Sequence, residues 1–333
     1  MHSSLPATMT EIHISTPGAP DVLQPIQVPL PAPKPGEVLI RVQAAGVNRP
    51  DVLQREGNYP IPPGANPIPG LEIAGTVAAL GEGVITHAVG EAVCALTNGG
   101  GYAEYCVVPS GQVLPIPRGV SMQQAAAIPE TFFTVWANLF QLGHARRGDV
   151  ALIHGGTSGI GTTALMLCRE FGIRAFATAG GQDKCEAIRE LGGEPINYRQ
   201  ESFAEVVMAH TEGHGADVIL DIMGAAYFAD NLATLARDGR LLLIGFLGGG
   251  TAEHVNLQAI MAKRAIVTGS AMRPRSTQEK SAIAASLREH VWPMLAQGRC
   301  LPMVSATYPL LRAADAHRHM ESGHHIGKIV LTV

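Results

Sequence analysis

Val150-Ala151-Leu152-Ile153-His154-Gly155-Gly156-Thr157-Ser158-Gly159-Ile160-Gly161-Thr162-Thr163-Ala164 decides the reading of this chain. Val150–Ile153 is a short apolar run of the kind a buried parallel strand needs. Gly159, Gly161 and Ala164 fit G-x-G-x-x-G/A, and Leu165, Met166, Cys168 and Phe171 supply the apolar face of a following helix. A turn without Cβ atoms lets backbone N–H groups and a helix N-terminus approach a pyrophosphate closely. Alone such a fingerprint is weak; between a strand and a helix it predicts a dinucleotide site. An ordinary glycine-rich turn is the competing reading.

Strand and helix signals alternate downstream. Arg174–Thr178 predicts a second strand, Lys184–Leu191 a helix and Pro195–Tyr198 a third strand. Ser202 and Glu205 form a capping box opening a helix through His210. Ala216–Asp221, Arg240–Ile244 and Ala265–Thr268 predict further strands, and Gly245–Gly250 is a second glycine-rich turn. Such alternation implies right-handed βαβ units in a doubly wound parallel sheet. Ligands on these sheets lie at the carboxyl ends of the strands, so the loops after Ile153, Thr178, Tyr198, Asp221, Ile244 and Thr268 are expected to converge on one ligand.

The expected cofactor is NADPH. An NAD site places an acid about 20 residues past the first glycine, on the ribose 2′-OH. Here that region reads Phe176-Ala177-Thr178-Ala179-Gly180-Gly181-Gln182, with no acid at the strand end. Lys184 and Tyr198 offer a cation and a hydroxyl to a 2′-phosphate. The alternatives are a solvated Lys184, or Asp183 reaching the 2′-OH.

At 333 residues the chain exceeds one hydrophobic core. A net charge of −4 without a basic cluster argues against nucleic acid and anionic membranes as partners. No apolar run reaches the roughly 18 residues of a membrane span. Residues 1–9 read as a loose tail rather than a signal peptide. Five scattered cysteines suit reduced thiols in a cytoplasmic protein better than disulfides.

The first third differs in texture. Fourteen of the 23 prolines precede residue 75, and the short β-like segments Glu37–Val42, Ile73–Ala79, Glu91–Leu96 and Tyr102–Val108 alternate with Pro and Gly turns. This predicts a mainly-β domain. Met122–Phe140 is more helical, Ser281–Ala296 predicts one long helix, and Lys328–Val333 a final strand. The expected division is 1–132, 133–271 for the dinucleotide domain as an insertion, and 272–333 returning to the first domain.

With these segments in hand, the chain resembles the medium-chain dehydrogenase/reductase superfamily over nearly its whole length. It resembles the zinc-independent quinone oxidoreductase branch, and within it the p53-inducible quinone oxidoreductases. The resemblance rests on Ala45-Gly46-Val47-Asn48-Arg49-Pro50-Asp51, Pro69-Gly70-Leu71-Glu72-Ile73-Ala74-Gly75, Gly99–Tyr105, Ala125–Glu130, Thr178-Ala179-Gly180, Asp238-Gly239-Arg240 and Ile326–Leu331. It implies a Rossmann sheet inserted into a GroES-like catalytic domain, NADPH, and a quinone or enone substrate. By resemblance Thr157, Ser158, Gly159 and Ile160 cradle the diphosphate, and Gly180, Lys184 and Tyr198 the adenosine phosphate. Gly245, Phe246, Leu247, Ser270 and Ala271 meet the nicotinamide side. It further implies a homodimer through Ala265–Thr268.

Against the zinc alcohol dehydrogenases, Asn48 stands at the thiolate position, Pro50 at the adjoining hydroxyl position, and Gly70-Leu71-Glu72 where Gly-His-Glu is usual. Zinc needs such soft or borderline ligands, so no metal is expected. His317, His319, His324 and His325 read as surface groups. Without a Lewis acid the reaction is hydride delivery to an acceptor that is already electrophilic, aided by positioning and a donor for the developing oxyanion. Tyr59 is the candidate donor; its alternative is packing at the domain edge. Asn48 is expected to hold a ribose or substrate oxygen, or else to fix the turn into Asp51. Arg273 and Arg275 are expected to flank the cleft, or else to be solvated as arginines after a strand usually are. The competing functions are an enoyl or acryloyl thioester reductase and a non-catalytic NADPH-binding protein.

Overall fold

The computed structural model describes residues 5–333. The chain divides into two compact units, one formed by the chain up to Phe133 with Arg273–Val333, the other by Thr134–Met272.

The Thr134–Met272 unit is a six-stranded parallel sheet. Its order is Glu194–Asn197, Arg174–Ala179, Val150–Ile153, Ala216–Asp221, Leu235–Leu243, Ile266–Gly269. Val150–Ile153 and Ala216–Asp221 are neighbours although two strands intervene in sequence, which puts the order reversal beside the glycine turn. Val150, Leu152, Phe176, Ile196, Ile219 and Leu241 fill one core. The strand expected at Arg240 begins at Leu235, because Ala216 pairs with Leu235 before a register shift brings Val218 opposite Arg240. Asp238 bends this strand at φ 66° and binds Arg264. At the Ser202 cap only one half of the expected box is seen, Ser202 Oγ accepting from the Glu205 N–H.

In the other unit Glu37–Val47 is the central strand. It pairs antiparallel with Glu72–Leu80, Tyr105–Pro109 and Lys328–Thr332. Lys328–Thr332 pairs parallel with Val304–Pro309, and Glu72–Leu80 leads on to Ala92–Leu96 and Val113–Pro115. Val38, Ile40, Val42, Ile73, Val93, Ile329 and Leu331 share the interior. The register Ile329 opposite Val47 carries Lys328 to the turn at Asn48.

Several expectations are corrected here. The end of the presumed loose tail, Thr8 and Met9, opens a strand that runs to Ile14 and pairs with Leu23–Pro29, and Met9 is buried against Leu39, Ala103 and Tyr105; residues 1–4 of that expectation lie outside the described residues. The single helix expected over Ser281–Ala296 is two, Thr277–His290 and Trp292–Ala296. Pro293 lacks the N–H that would continue the first helix, so the chain breaks at Val291. The helical stretch after Met122 is three pieces, the last, Trp136–Leu142, a π-helix whose Trp136 and Phe140 stack.

Candidate active site

In the parallel-sheet unit the fingerprint turn is built from three glycines without room for a side chain. A Cβ on Gly161 would lie 2.2 Å from the Gly155 carbonyl oxygen, one on Gly156 would meet Ala177 at 2.7 Å, and one on Gly155, which has φ +72°, would meet Ile222 at 2.5 Å. Ser158 then caps the helix Gly159–Phe171, its Oγ accepting from the Gly161 N–H at 3.0 Å. The turn and the free N–H groups of the first helical residues form an anion-binding end. Thr157, Ser158, Gly159 and Ile160 all lie on it, Thr157 buried and the other three half-buried.

At the end of the next strand Gly180 and Tyr198 come together. A Cβ on Gly180 would sit 2.5 Å from Tyr198 Oη and 3.3 Å from Arg199 Nε. Arg199 escaped the sequence reading, and only its neighbour Tyr198 was singled out. Lys184 is half-buried in the first turn of Gln182–Glu190, beside an exposed Asp183. Farther along the sheet, Gly245 is half-buried while Phe246 and Leu247 are 62% and 55% exposed. Ser270 donates its hydroxyl to Asn138 Oδ1 at 2.9 Å, and Ala271 is exposed.

The other unit gathers charge in its interior. Glu72 is fully buried with Oε1 2.6 Å from Lys328 Nζ. Asn48 Nδ2 donates to the same oxygen at 3.0 Å, and Lys328 Nζ donates to Asn48 Oδ1 and to the Val47 carbonyl. The second Glu72 oxygen accepts from the Glu130 N–H at 2.9 Å. Both ends of the Asn48 amide are therefore engaged inside the unit. Its backbone N–H also donates to Asp51 Oδ2 at 2.8 Å, fixing the turn into the helix Arg49–Arg55. Leu71 is buried. A buried ammonium on the Glu72 carboxylate, an amide and a leucine do not make a zinc shell. Among the described residues no three His, Cys, Asp or Glu side chains gather as one.

Tyr59 lines a groove of about 380 Å³ with His13, Ile14, Gln54 and Pro67. The Arg273 guanidinium lies over its ring, 5.6 Å from the centroid. Burial first, and the Glu130 charge second, push the phenol up to about 12, so it holds its proton across the neutral range. Arg273 is 5% exposed, which rules out the solvated alternative for it. It donates to Gln54 Oε1 at 2.6 Å and to the Asn66 and Asn98 carbonyls, while its buried Nε has no partner. Lys280 is buried beside it, held by Asn98 and the Arg273 carbonyl, and burial lowers it to about 8. Loss of water, then repulsion from Glu72, raises Glu130 to about 8. His317 is likewise buried rather than on the surface, between Tyr102 Oη and Arg55, and burial depresses it to about 3. Of these interior groups, Glu130, Lys280 and Lys328 were given no site role by the sequence reading. A lysine opening the apolar run Lys328–Leu331 was the available signal.

Comparison with known proteins follows this geometry. Residues 34–118 match the family model of the alcohol dehydrogenase GroES-like domain, and residues 191–331 that of a zinc-binding dehydrogenase. A quinone oxidoreductase of Sus scrofa is 30% identical over 327 residues, 97% of each chain. Phthioceranic/hydroxyphthioceranic acid synthase of Mycobacterium tuberculosis is 34% identical over 330 residues, which is 97% of this chain and 15% of that protein. The structure of Escherichia coli quinone oxidoreductase complexed with NADPH superposes with a TM-score of 0.85 at 27% identity, covering 98% of this chain and all of that one.

Proposed function

The chain belongs to the medium-chain dehydrogenase/reductase superfamily, and on that premise we propose that this oxidoreductase is a zinc-independent NADPH:quinone oxidoreductase. The observation that carries the reading is the buried Lys328–Glu72–Asn48 contact, at a residue, Asn48, that the resemblance aligns with a zinc ligand of the alcohol dehydrogenases. A site without a Lewis acid demands an acceptor that is electrophilic by itself, and a quinone is one. The full-length likeness to quinone oxidoreductases supports the same class.

Bound NADPH supplies the hydride. In this reading the domain 133–271 holds it: Thr157, Ser158, Gly159 and Ile160 at the diphosphate, Gly180, Lys184 and Tyr198 at the 2′-phosphate, and Gly245, Phe246, Leu247, Ser270 and Ala271 toward the nicotinamide. Arg199 joins the phosphate group through its approach to Gly180. The 1–132 and 272–333 segments form the catalytic domain, where the Tyr59 groove takes the acceptor. The Tyr59 phenol donates a hydrogen bond to the oxygen on which charge develops, and Arg273 above its ring steadies that charge. Asn48 acts from beneath, through the turn it fixes. The protein is read as a cytoplasmic homodimer: Ile266–Gly269 ends the sheet with one unpaired edge, and Ile266, Leu257 and Met261 expose apolar surface beside it. No helix of the described residues is long and apolar enough to cross a membrane.

A second reading, an enoyl thioester reductase, is favoured by the 34% identity with part of an acid synthase. Single-turnover NADPH oxidation by wild type and Tyr59→Phe, with one quinone and one enoyl thioester and with strong chelator present, separates the two. A quinone needs only an orienting hydrogen bond, and Tyr59→Phe is expected to cost on the order of tenfold. Protonation at carbon in the thioester reaction is worth about 10²–10⁴-fold. Loss of wild-type turnover with chelator would refute zinc independence, and a quinone rate unchanged in Tyr59→Phe would remove that residue from the site.

A further inference from the structure

Beneath the glycine turn runs a line of hydrogen bonds that the proposed chemistry does not use. Asn231 Nδ2 donates to Asp221 Oδ2 at 3.1 Å, so its Oδ1 is the acceptor facing His154. The 2.7 Å contact of that oxygen with His154 Nε2 therefore requires an N–H on Nε2. His154 Nδ1 is then an acceptor and takes the Thr178 hydroxyl at 3.2 Å. Thr178 Oγ1 in turn accepts from the Gly155 N–H at 3.1 Å. Asp221 closes the line, accepting from the Met223 and Gly224 N–H groups at 2.6 and 3.1 Å. Every link has one donor and one acceptor, and each donor points from Gly155 toward the Asp221 carboxylate.

His154 and Asn231 have no exposed surface, and Phe203 and Tyr227 set ring edges against the imidazole. Burial lowers His154 to about 4, so a neutral ring with a single proton suits the line. Its two ends are the loops that matter. Gly155 opens the turn before Thr157–Ile160. The Asp221 and Ile222 carbonyls accept from the Ile244 and Leu247 N–H groups at 2.8 and 3.0 Å, holding the Gly245–Leu247 loop.

We propose that His154 and Asn231 are positioning residues that hold the diphosphate turn and the nicotinamide-side loop at a fixed spacing, so that the two halves of NADPH bind as one ligand. The proposal rests on the cofactor reading above, and the test keeps the two apart. A bridge between half-sites acts on a ligand that spans them and spares one that occupies a single half. Affinities of NADPH and of 2′,5′-ADP are measured for wild type, His154→Leu, Asn231→Leu and His154→Gln. Glutamine offers an N–H near the place of Nε2, so it stands as the conservative variant.

His154→Leu and Asn231→Leu are expected to bind NADPH about tenfold more weakly while 2′,5′-ADP stays within about twofold of wild type, and His154→Gln recovers most of the loss. Equal weakening of both ligands, no weakening, or a His154→Gln variant as poor as His154→Leu overturns the proposal. Wild type that fails to bind NADPH refutes the cofactor reading instead. If neither leucine variant folds, the wild-type ring decides by ¹⁵N NMR: an Nε2–H tautomer unchanged from pH 6 to 8 supports the line, and an Nδ1–H or ionising ring overturns it.

Discussion

The two units solve the problem of a polar interior in opposite ways. The parallel-sheet unit runs a directed line from Gly155 through a neutral His154 to the Asp221 carboxylate, in which each donor has its acceptor. The other unit buries ionisable groups: Glu72 paired with Lys328, with Asp51, Glu130, Arg273 and Lys280 near by. Such a line as the first carries its one charge at the Asp221 end, which burial raises to about 6, and its neutral links fail only when one is removed. A charged cluster is held by mutual compensation, so it responds to pH and fails steeply when one partner goes. The first suits a surface that must keep its shape; the second suits a site that holds protons near neutrality.

The largest expected effect breaks the charged side. Lys328→Met leaves Glu72 buried without its cation, an expected loss of about 3–5 kcal/mol, or roughly 10 °C in Tm by calorimetry. Glu72→Gln with Lys328→Met is expected to recover most of it, because an amide needs no counter-charge. A single variant as stable as wild type would mean the pair is not what holds this interior.

A smaller effect sharpens the contrast from the other unit, whose cations lie at its surface. Lys184→Ala is expected to weaken NADPH binding by about 1.5–3 kcal/mol, on the order of 10- to 100-fold, and to leave NADH nearly unchanged. Titration of both nucleotides by fluorescence reads this directly. Tighter binding of NADH than NADPH by the wild type would reverse the cofactor assignment and bring Asp183 forward.

A further effect concerns pH. Glu130 in the folded unit titrates at about 8, above its ordinary value of 4.5, so the folded state holds the extra proton between those limits. Stability contributed by the neutral form is therefore present below about pH 4.5 and is lost as pH rises to about 8. Glu130→Gln is expected to flatten this slope, raising Tm clearly more at pH 8 than at pH 5. Equal gains at both values would trace the effect to packing instead.

What the sequence made legible was local. The strand-turn-helix at Val150–Phe171 and the alternation after it are written in consecutive residues, and the parallel sheet follows from them. The interior of the other unit is written in pairs far apart. Lys328 meets Asn48 only because one strand register sets Ile329 opposite Val47. Arg273 left a solvated reading open because nothing near it in sequence announces the carbonyls of Asn66 and Asn98 that receive it. His317 read as exposed because its partners Arg55 and Tyr102 lie more than 200 residues away. The Thr178–His154–Asn231 line stayed hidden for the same reason, although His154 lies within the fingerprint stretch itself.

The position of Lys328–Thr332 inside its sheet also sets an order of events during synthesis. That strand lies between Val304–Pro309 and Glu37–Val47 and carries the cation that answers Glu72. The parallel-sheet unit draws on one unbroken span, Thr134–Met272, and has all its strands once that span has left the ribosome. The unit that starts first must wait with the Ala44–Val47 end of its central strand unpaired along one edge, and a buried carboxylate unanswered. Strand Glu37–Val47 is thus fully enclosed only after the whole Thr134–Met272 span has been made, and the growing chain carries an open strand edge in between.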